Sequence, residues 1–71
     1  GPDGMDLIRS IVRDATRHMS ADAVLVLEIG HEREHFDAAF PRLEVAWLET
    51  SGGDDRVLLA TREALQRWNA R

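Results

Sequence analysis

The chain contains no cysteine. This absence excludes disulfides and thiolate metal sites, and it suits a reducing compartment. A chain of 71 residues buries only about 60% of its unfolded surface on folding, so a core without such cross-links is marginal. We therefore expect one small domain at most.

Long apolar runs are also missing. The longest, from Ala23 to Leu27, is far shorter than the roughly 20 residues that a membrane span requires. Nothing near the N-terminus has the basic and then apolar layout of a signal peptide. The formal net charge of -4 gives no general attraction to phosphate backbones, so DNA is not an expected partner. These features predict a soluble, cytoplasmic piece of protein.

Periodicity predicts an alternation of helices and strands. The short apolar run Val24–Ile29 indicates a strand covered on both faces, as in parallel sheets. Thr61 is expected to cap the last helix. The predicted bounds are helix 4–19, strand 24–29, helix 31–40, strand 43–49, turn 51–54, strand 56–61 and a final short helix.

This order predicts an α/β sheet with three strands in the spatial order first, third, second. A strand-helix-strand unit implies a parallel pair with a right-handed crossover, and the tight link before the last strand implies that it runs antiparallel. Helices are expected on both faces. A doubly covered strand needs neighbours on both edges, so an open hydrophobic edge would recruit other chains. The pattern is typical of a piece of a larger sheet.

Several short motifs resemble the protein-glutamine N-methyltransferases. Gly1-Pro2-Asp3-Gly4-Met5 looks like the Gly-x-Asp-Gly-Leu that opens a helix in that family, and Arg9 and Ile11 match its Arg-x-Ile. Leu27-Glu28-Ile29-Gly30 resembles the Glu-Ile-Gly that ends the following strand. At Asp22-Ala23 the chain departs from the family, which commonly has a glycine before this strand.

The end of the chain narrows the resemblance to one branch of the family. Trp47-Leu48-Glu49, Gly52-Gly53-Asp54 and Val57 resemble the ending of the branch that modifies a large-subunit ribosomal protein. The branch that modifies release factors usually lacks the Trp-Leu-Glu block. The resemblance covers residues 1–65 and depends on the order and spacing of these motifs together.

The resemblance implies that residues 1–71 form the C-terminal portion of a class I, Rossmann-like methyltransferase domain. Such enzymes bind S-adenosylmethionine at a glycine-rich loop and hold the substrate glutamine with an Asn-Pro-Pro-Tyr motif. Neither motif is present, and the only asparagine is Asn69. The chain alone is therefore expected to be inactive and not to bind the cofactor. The implied partners of the parent protein are a ribosomal protein and the remainder of the domain.

Four residues are candidates for lining the cleft of the parent enzyme. Asp3 and Gly4 would lie in the loop that leaves the active-site region. Glu28 and Gly30 would lie at the carboxyl end of a central strand, where ligands approach. Each has a simpler alternative: Asp3 as a helix cap, Glu28 as a solvated strand end, and Gly30 as a residue with an unusual backbone angle.

The segment from His31 to His35 matches His-Glu-x-x-His, the helix motif of zinc peptidases. Its setting argues against that chemistry, because the two intervening residues, Arg33 and Glu34, are both charged. No third ligand is convincingly placed, and the candidates are His18, Glu44 and Glu49. We therefore expect only adventitious metal binding by His31 and His35.

Arg9, Arg13 and Arg17 form a stripe at helical spacing that raises the question of RNA binding. Asp6 and Asp14 lie at pairing distance, so the simpler interpretation is a solvated helix face with local ion pairs. The net charge also argues against RNA.

Trp47 and Trp68 lie within apolar patterns, so they are expected to pack the hairpin and the last helix. The rival to the methyltransferase interpretation is a stand-alone small α/β interaction domain that associates through its open strand edge.

Overall fold

A computed structural model describes residues 4–48 and 57–71. The described elements are helix α1 (Asp6–Asp14), a 3-10 turn (Ala15–His18), strand β1 (Val24–Glu28), helix α2 (Arg33–Ala39), strands β2 (Ala46–Leu48) and β3 (Val57–Thr61), and helix α3 (Arg62–Ala70). The predicted turn at 51–54 lies outside the described residues. No helix in the described part is long and apolar enough to cross a membrane.

The first helix is shorter than predicted, because its last turn tightens into the 3-10 turn. The final four carbonyls of an α-helix have no partner within the helix. One of them, the carbonyl of Val12, accepts a hydrogen bond of 3.0 Å from Nδ2 of Asn69. This bond ties the end of α1 to α3, although 57 residues separate the two partners along the chain.

The start of α3 agrees with the prediction. The Thr61 Oγ1 accepts a hydrogen bond of 3.1 Å from the backbone N–H of Ala64, which satisfies one of the free amides of the first turn. Because Thr61 is also the last residue of β3, strand and helix follow each other without a loop. The change from strand to helix is therefore made at the residue whose side chain caps the helix.

The strand β2 is also shorter than the predicted strand 43–49. The backbone N–H of Leu43 donates to the carbonyl of Phe40 at 3.2 Å, so the chain is still turning where the strand was expected to begin. Leu43 is buried all the same. The alternation of apolar residues therefore marks burial correctly but not the start of the strand.

The predicted strand order is confirmed, because β3 lies between β1 and β2. Both outer strands run antiparallel to β3: Leu27 and Trp47 each lie opposite Leu58. It follows that β1 and β2 point the same way without sharing hydrogen bonds. The predicted parallel pair is not confirmed as a ladder, since every ladder among the described strands is antiparallel.

The prediction of helices on both faces is wrong for the described chain. One face of β3 carries the buried Leu58 and Ala60, which belong to the same core cluster as the buried residues of all three α-helices. On the opposite face Val24 and Val26 are 50% and 54% exposed, and Leu48 is 43% exposed. The run of β1 is apolar on both faces, but the described residues cover only one of them.

The core collects apolar residues from helices, strands and loops. Its buried members are Met5, Val12, Ile29, Phe36, Phe40, Leu43, Leu58, Ala60, Ala64 and Leu65. Within it, the aromatic rings form a continuous series. Phe36 contacts Phe40 and Trp47, with ring centroids 4.8 and 5.7 Å apart, and Phe40 contacts Trp68 at 5.4 Å. The predicted packing role of both tryptophans is confirmed.

Two leucines in helices provide a matched test of this core. Leu65 is 0% exposed and Leu7 is 71% exposed. We expect Leu65→Ala to lower the free energy of unfolding by about 2–5 kcal/mol, because it leaves a cavity, and Leu7→Ala to change it by less than about 0.5 kcal/mol. Urea unfolding followed by circular dichroism measures both. Equal losses in the two variants would contradict the described core.

Candidate functional site

Two glycines with unusual backbone angles flank the described elements, one before α1 and one after β1. Gly4 and Gly30 have φ angles of 71° and 57°, a region that residues with a Cβ rarely adopt. A Cβ placed on Gly4 would lie 3.9 Å from the Glu32 Oε2, so the loop after Gly30 passes close to the start of α1. We call Gly4, Gly30 and Glu32 the glycine corner.

Of the four sequence-predicted site residues, the structure describes three. Gly4 precedes α1 and Gly30 follows β1, and both adopt a positive φ. Glu28 lies one step away at the end of β1, opposite Val57, and it is exposed on the same face as Val24 and Val26. Asp3 lies outside the described residues.

In the sequence, Glu32 stands out only as part of the zinc-peptidase motif. In the structure its Oε2 lies 2.6 Å from the Nδ1 of His35, and both side chains are about half exposed. Among the described residues no three His, Asp or Glu side chains form a group able to hold a metal ion. The spacing of three residues along a helix is the signal that predicts this pair instead.

The charged stripe on α1 has the predicted local ion pairs. Arg9 lies 3.1 Å from Asp6, and Asp14 is shared by Arg13 at 3.1 Å and Arg17 at 2.8 Å. The hydrogen bond from Arg13 lowers the pKa of Asp14, with smaller contributions from the charges of both arginines. Exposed pairs of this kind contribute little to stability.

The glycine corner has the properties of a contact surface rather than of a catalytic centre. Glycines with positive φ let a backbone approach a ligand closely, and the Glu32 carboxylate can accept hydrogen bonds. No serine, cysteine or lysine is present among its members to act as a nucleophile. A nucleophile of one of these types would have to come from outside these three residues.

Comparison with known proteins confirms the resemblance seen in the motifs. The chain is 60% identical over 65 residues to the ribosomal protein uL3 glutamine methyltransferase of Bordetella pertussis. It is 49% identical over 65 residues to the protein of the same name from Neisseria gonorrhoeae. With the one from Burkholderia pseudomallei it shares 52% identity over 59 residues.

These matches cover most of this chain but only a small part of each relative. The Bordetella and Neisseria matches span 92% of the chain and 22% of the relative, and the Burkholderia match spans 83% and 19%. The chain therefore spans about a fifth of the length of the relatives it matches. No family model matches the chain, and no solved structure matches it.

The backbone of Gly30 can be tested without disturbing its surroundings. A Cβ at Gly30 would meet no atom within 4 Å, so Gly30→Ala introduces only the strain of a positive φ. We expect a loss of about 1–2 kcal/mol in the free energy of unfolding, and a smaller loss for Gly30→Asn, because asparagine tolerates this region. Urea unfolding of both variants provides the measurement. An alanine variant that is as stable as the unsubstituted chain would contradict the described backbone.

Proposed function

We propose that this chain is the C-terminal part of the catalytic domain of an S-adenosylmethionine-dependent methyltransferase. The whole protein would transfer a methyl group to a glutamine side-chain amide of ribosomal protein uL3. The observation that carries the proposal is the 60% identity to a protein of that name over 92% of this chain. The motifs near both ends of the chain support the same assignment.

The topology supports a place at the end of a class I methyltransferase sheet. Such domains finish in an antiparallel hairpin, and here β2 and β3 run antiparallel with β3 inserted beside β1. The outer edge of β1 has no ladder partner among the described strands. In the proposed domain another strand would pair with that edge, and further helices would cover Val24 and Val26.

We further propose that the glycine corner and its neighbours line the cleft of the whole enzyme. Glu28 and Gly30 lie at the carboxyl end of β1, the side of an open α/β sheet on which ligands bind, and a Cβ on Gly4 would lie 3.9 Å from the side chain of Glu32, which follows them along the chain. The residue before Gly4 is Asp3, whose carboxylate would join them. Their role here is to shape and contact the cleft.

The described residues do not fit the methyl donor. The larger of the two cavities described, of about 230 Å³, is smaller than the roughly 300–1,000 Å³ of typical cofactor pockets. Its lining includes Arg9, Arg13 and Arg71 but neither Gly4 nor Gly30. S-adenosylmethionine would therefore be held by parts of the protein outside these residues, and no step of the transfer is assigned to this chain.

Methyl transfer is tested with the complete protein that contains these residues. We expect it to move a labelled methyl group from S-adenosylmethionine to one glutamine of purified uL3, as detected by mass spectrometry of the peptides. The matched substrate carries asparagine at that position and should stay unlabelled. The 71-residue chain alone should give no transfer and no heat of binding with the donor. Absence of transfer by the complete protein would refute the proposal.

The rival function, a stand-alone domain that associates through its edge, has one observation in its favour. Both the edge of β1 and the face that carries Val24 and Val26 are open within the described chain. In our proposal the same surface is covered by the remainder of the domain.

The open face predicts the behaviour of the isolated chain. We expect it to self-associate as its concentration rises in sedimentation velocity experiments, because exposed apolar strands recruit one another. The double variant Val24→Thr/Val26→Thr keeps β-branched residues and should shift the chain towards the monomer. Leu7→Thr, on an exposed helix position, should not. An unsubstituted 71-residue chain that is monomeric at every concentration would contradict the open face.

A further inference from the structure

We propose that the concave surface around Trp68 binds the phosphodiester backbone of a single-stranded RNA. Two adjoining cavities, of about 230 and 80 Å³, share Trp68 and Arg71 in their linings. We call this surface the arginine groove, after the five arginines that line it: Arg9, Arg13, Arg42, Arg67 and Arg71. It shares no residue with the glycine corner, so the proposal does not depend on methyl transfer.

Five of the described residues that line the groove are arginines, although the chain as a whole carries a formal charge of -4. No carboxylate is among the described residues that line the larger cavity. Of the described residues that line the smaller cavity, Glu44 is the acidic one; it lies 3.4 Å from Arg67, which also pairs with Glu63. The charge of the whole chain therefore does not describe this surface, because the attraction to phosphate is local.

At the junction of the two cavities, Arg71 is held in a fixed orientation. Its guanidinium carbon lies 3.6 Å from the ring centroid of Trp68, and its Nη1 donates a hydrogen bond of 2.7 Å to the Trp68 carbonyl. A stacked guanidinium loses little further freedom on binding, and its remaining N–H groups match the geometry of a phosphate. The guanidinium of Arg71 is therefore already oriented to bind an anion where the two cavities meet.

The other arginines can exchange their present partners for phosphate. Arg13 pairs with Asp14, but its side chain is 69% exposed, and exposed pairs are weak. For Arg42, which lines the smaller cavity, the described residues provide no carboxylate partner. Charge-assisted hydrogen bonds from arginine to phosphate are stronger than these surface pairs.

The lining favours RNA over an acidic peptide. Guanidinium groups beside an aromatic ring are the usual composition of surfaces that follow a single nucleic-acid strand. A peptide would also need an apolar pocket for an anchoring side chain. The described groove instead offers a row of cations and the edge of Trp68, whose ring already packs against Phe40 and Arg71.

The test measures the fluorescence anisotropy of a labelled oligouridine titrated with the 71-residue chain. Each phosphate contact contributes about -0.7 to the slope of log affinity against log salt for single strands, so five contacts predict a slope of roughly -3.5. Arg13→Gln and Arg42→Gln should each lower the affinity by about tenfold and reduce the slope by about 0.7.

Arg17→Gln is the matched control for Arg13→Gln. Both arginines pair with Asp14 and are 70% and 69% exposed, but only Arg13 lines the groove. We expect the control to change affinity by less than twofold, and circular dichroism should show that all three variants are folded. An undetectable affinity for oligouridine, or equal losses in the Arg13 and Arg17 variants, would overturn the proposal. Displacement of the oligouridine by polyglutamate at the same concentration of charge would also overturn the proposal, because it would assign the groove to an acidic peptide.

Discussion

Among the described residues, helices pack against one side of the sheet only, and the rest of the structure follows from that asymmetry. The helices bury Leu58 and Ala60 on the inner face of β3, while Val24 and Val26 of β1 remain about half exposed on the outer face. Burial of apolar surface is the main favourable term in folding. A strand with apolar residues on both faces therefore contributes its full stabilisation only when both faces are covered. Such a strand belongs in a larger assembly of layers.

The covered side is organised around aromatic rings. Trp47 on β2, Phe36 and Phe40 on or beside α2, and Trp68 on α3 contact one another in series. An arginine lies over each end of the series, with Arg33 at 4.4 Å from the ring centroid of Trp47 and Arg71 at 3.6 Å from that of Trp68. The same packing that closes the core therefore also fixes the orientation of Arg71 in the arginine groove.

Some of this architecture could be predicted from sequence, because it depends on neighbours along the chain. The predicted strand order depends on the turn signal at residues 51–54 before the last strand and on the helix between the first two strands. Local spacing likewise predicts the Thr61 cap and the ion pairs of Asp14. The coverage of the outer face could not be predicted. The apolar pattern of β1 indicates that both of its faces are suited to burial, but it does not indicate whether residues of this chain bury them.

The residues that form the glycine corner and the arginine groove were harder to predict from the sequence. The meeting of Gly4 with Glu32 depends on how α1 packs, and no local pattern encodes it. The arginine groove likewise joins residues from α1, α3 and the segment after α2, which are far apart in sequence. The helical spacing of Arg9 and Arg13 can be recognised in the sequence. That Arg42 and Arg71 line the same groove can be seen only in the folded chain.

Amide hydrogen exchange at β1 tests the central claim most directly. The backbone groups on the outer edge of Val24–Glu28 have no ladder partner among the described strands. If β1 is an inner strand of a larger sheet, these amides should exchange rapidly in the 71-residue chain kept dilute, and slowly in the complete protein. Equal exchange in the two proteins would contradict the account, because it would show that β1 is a natural border of the fold.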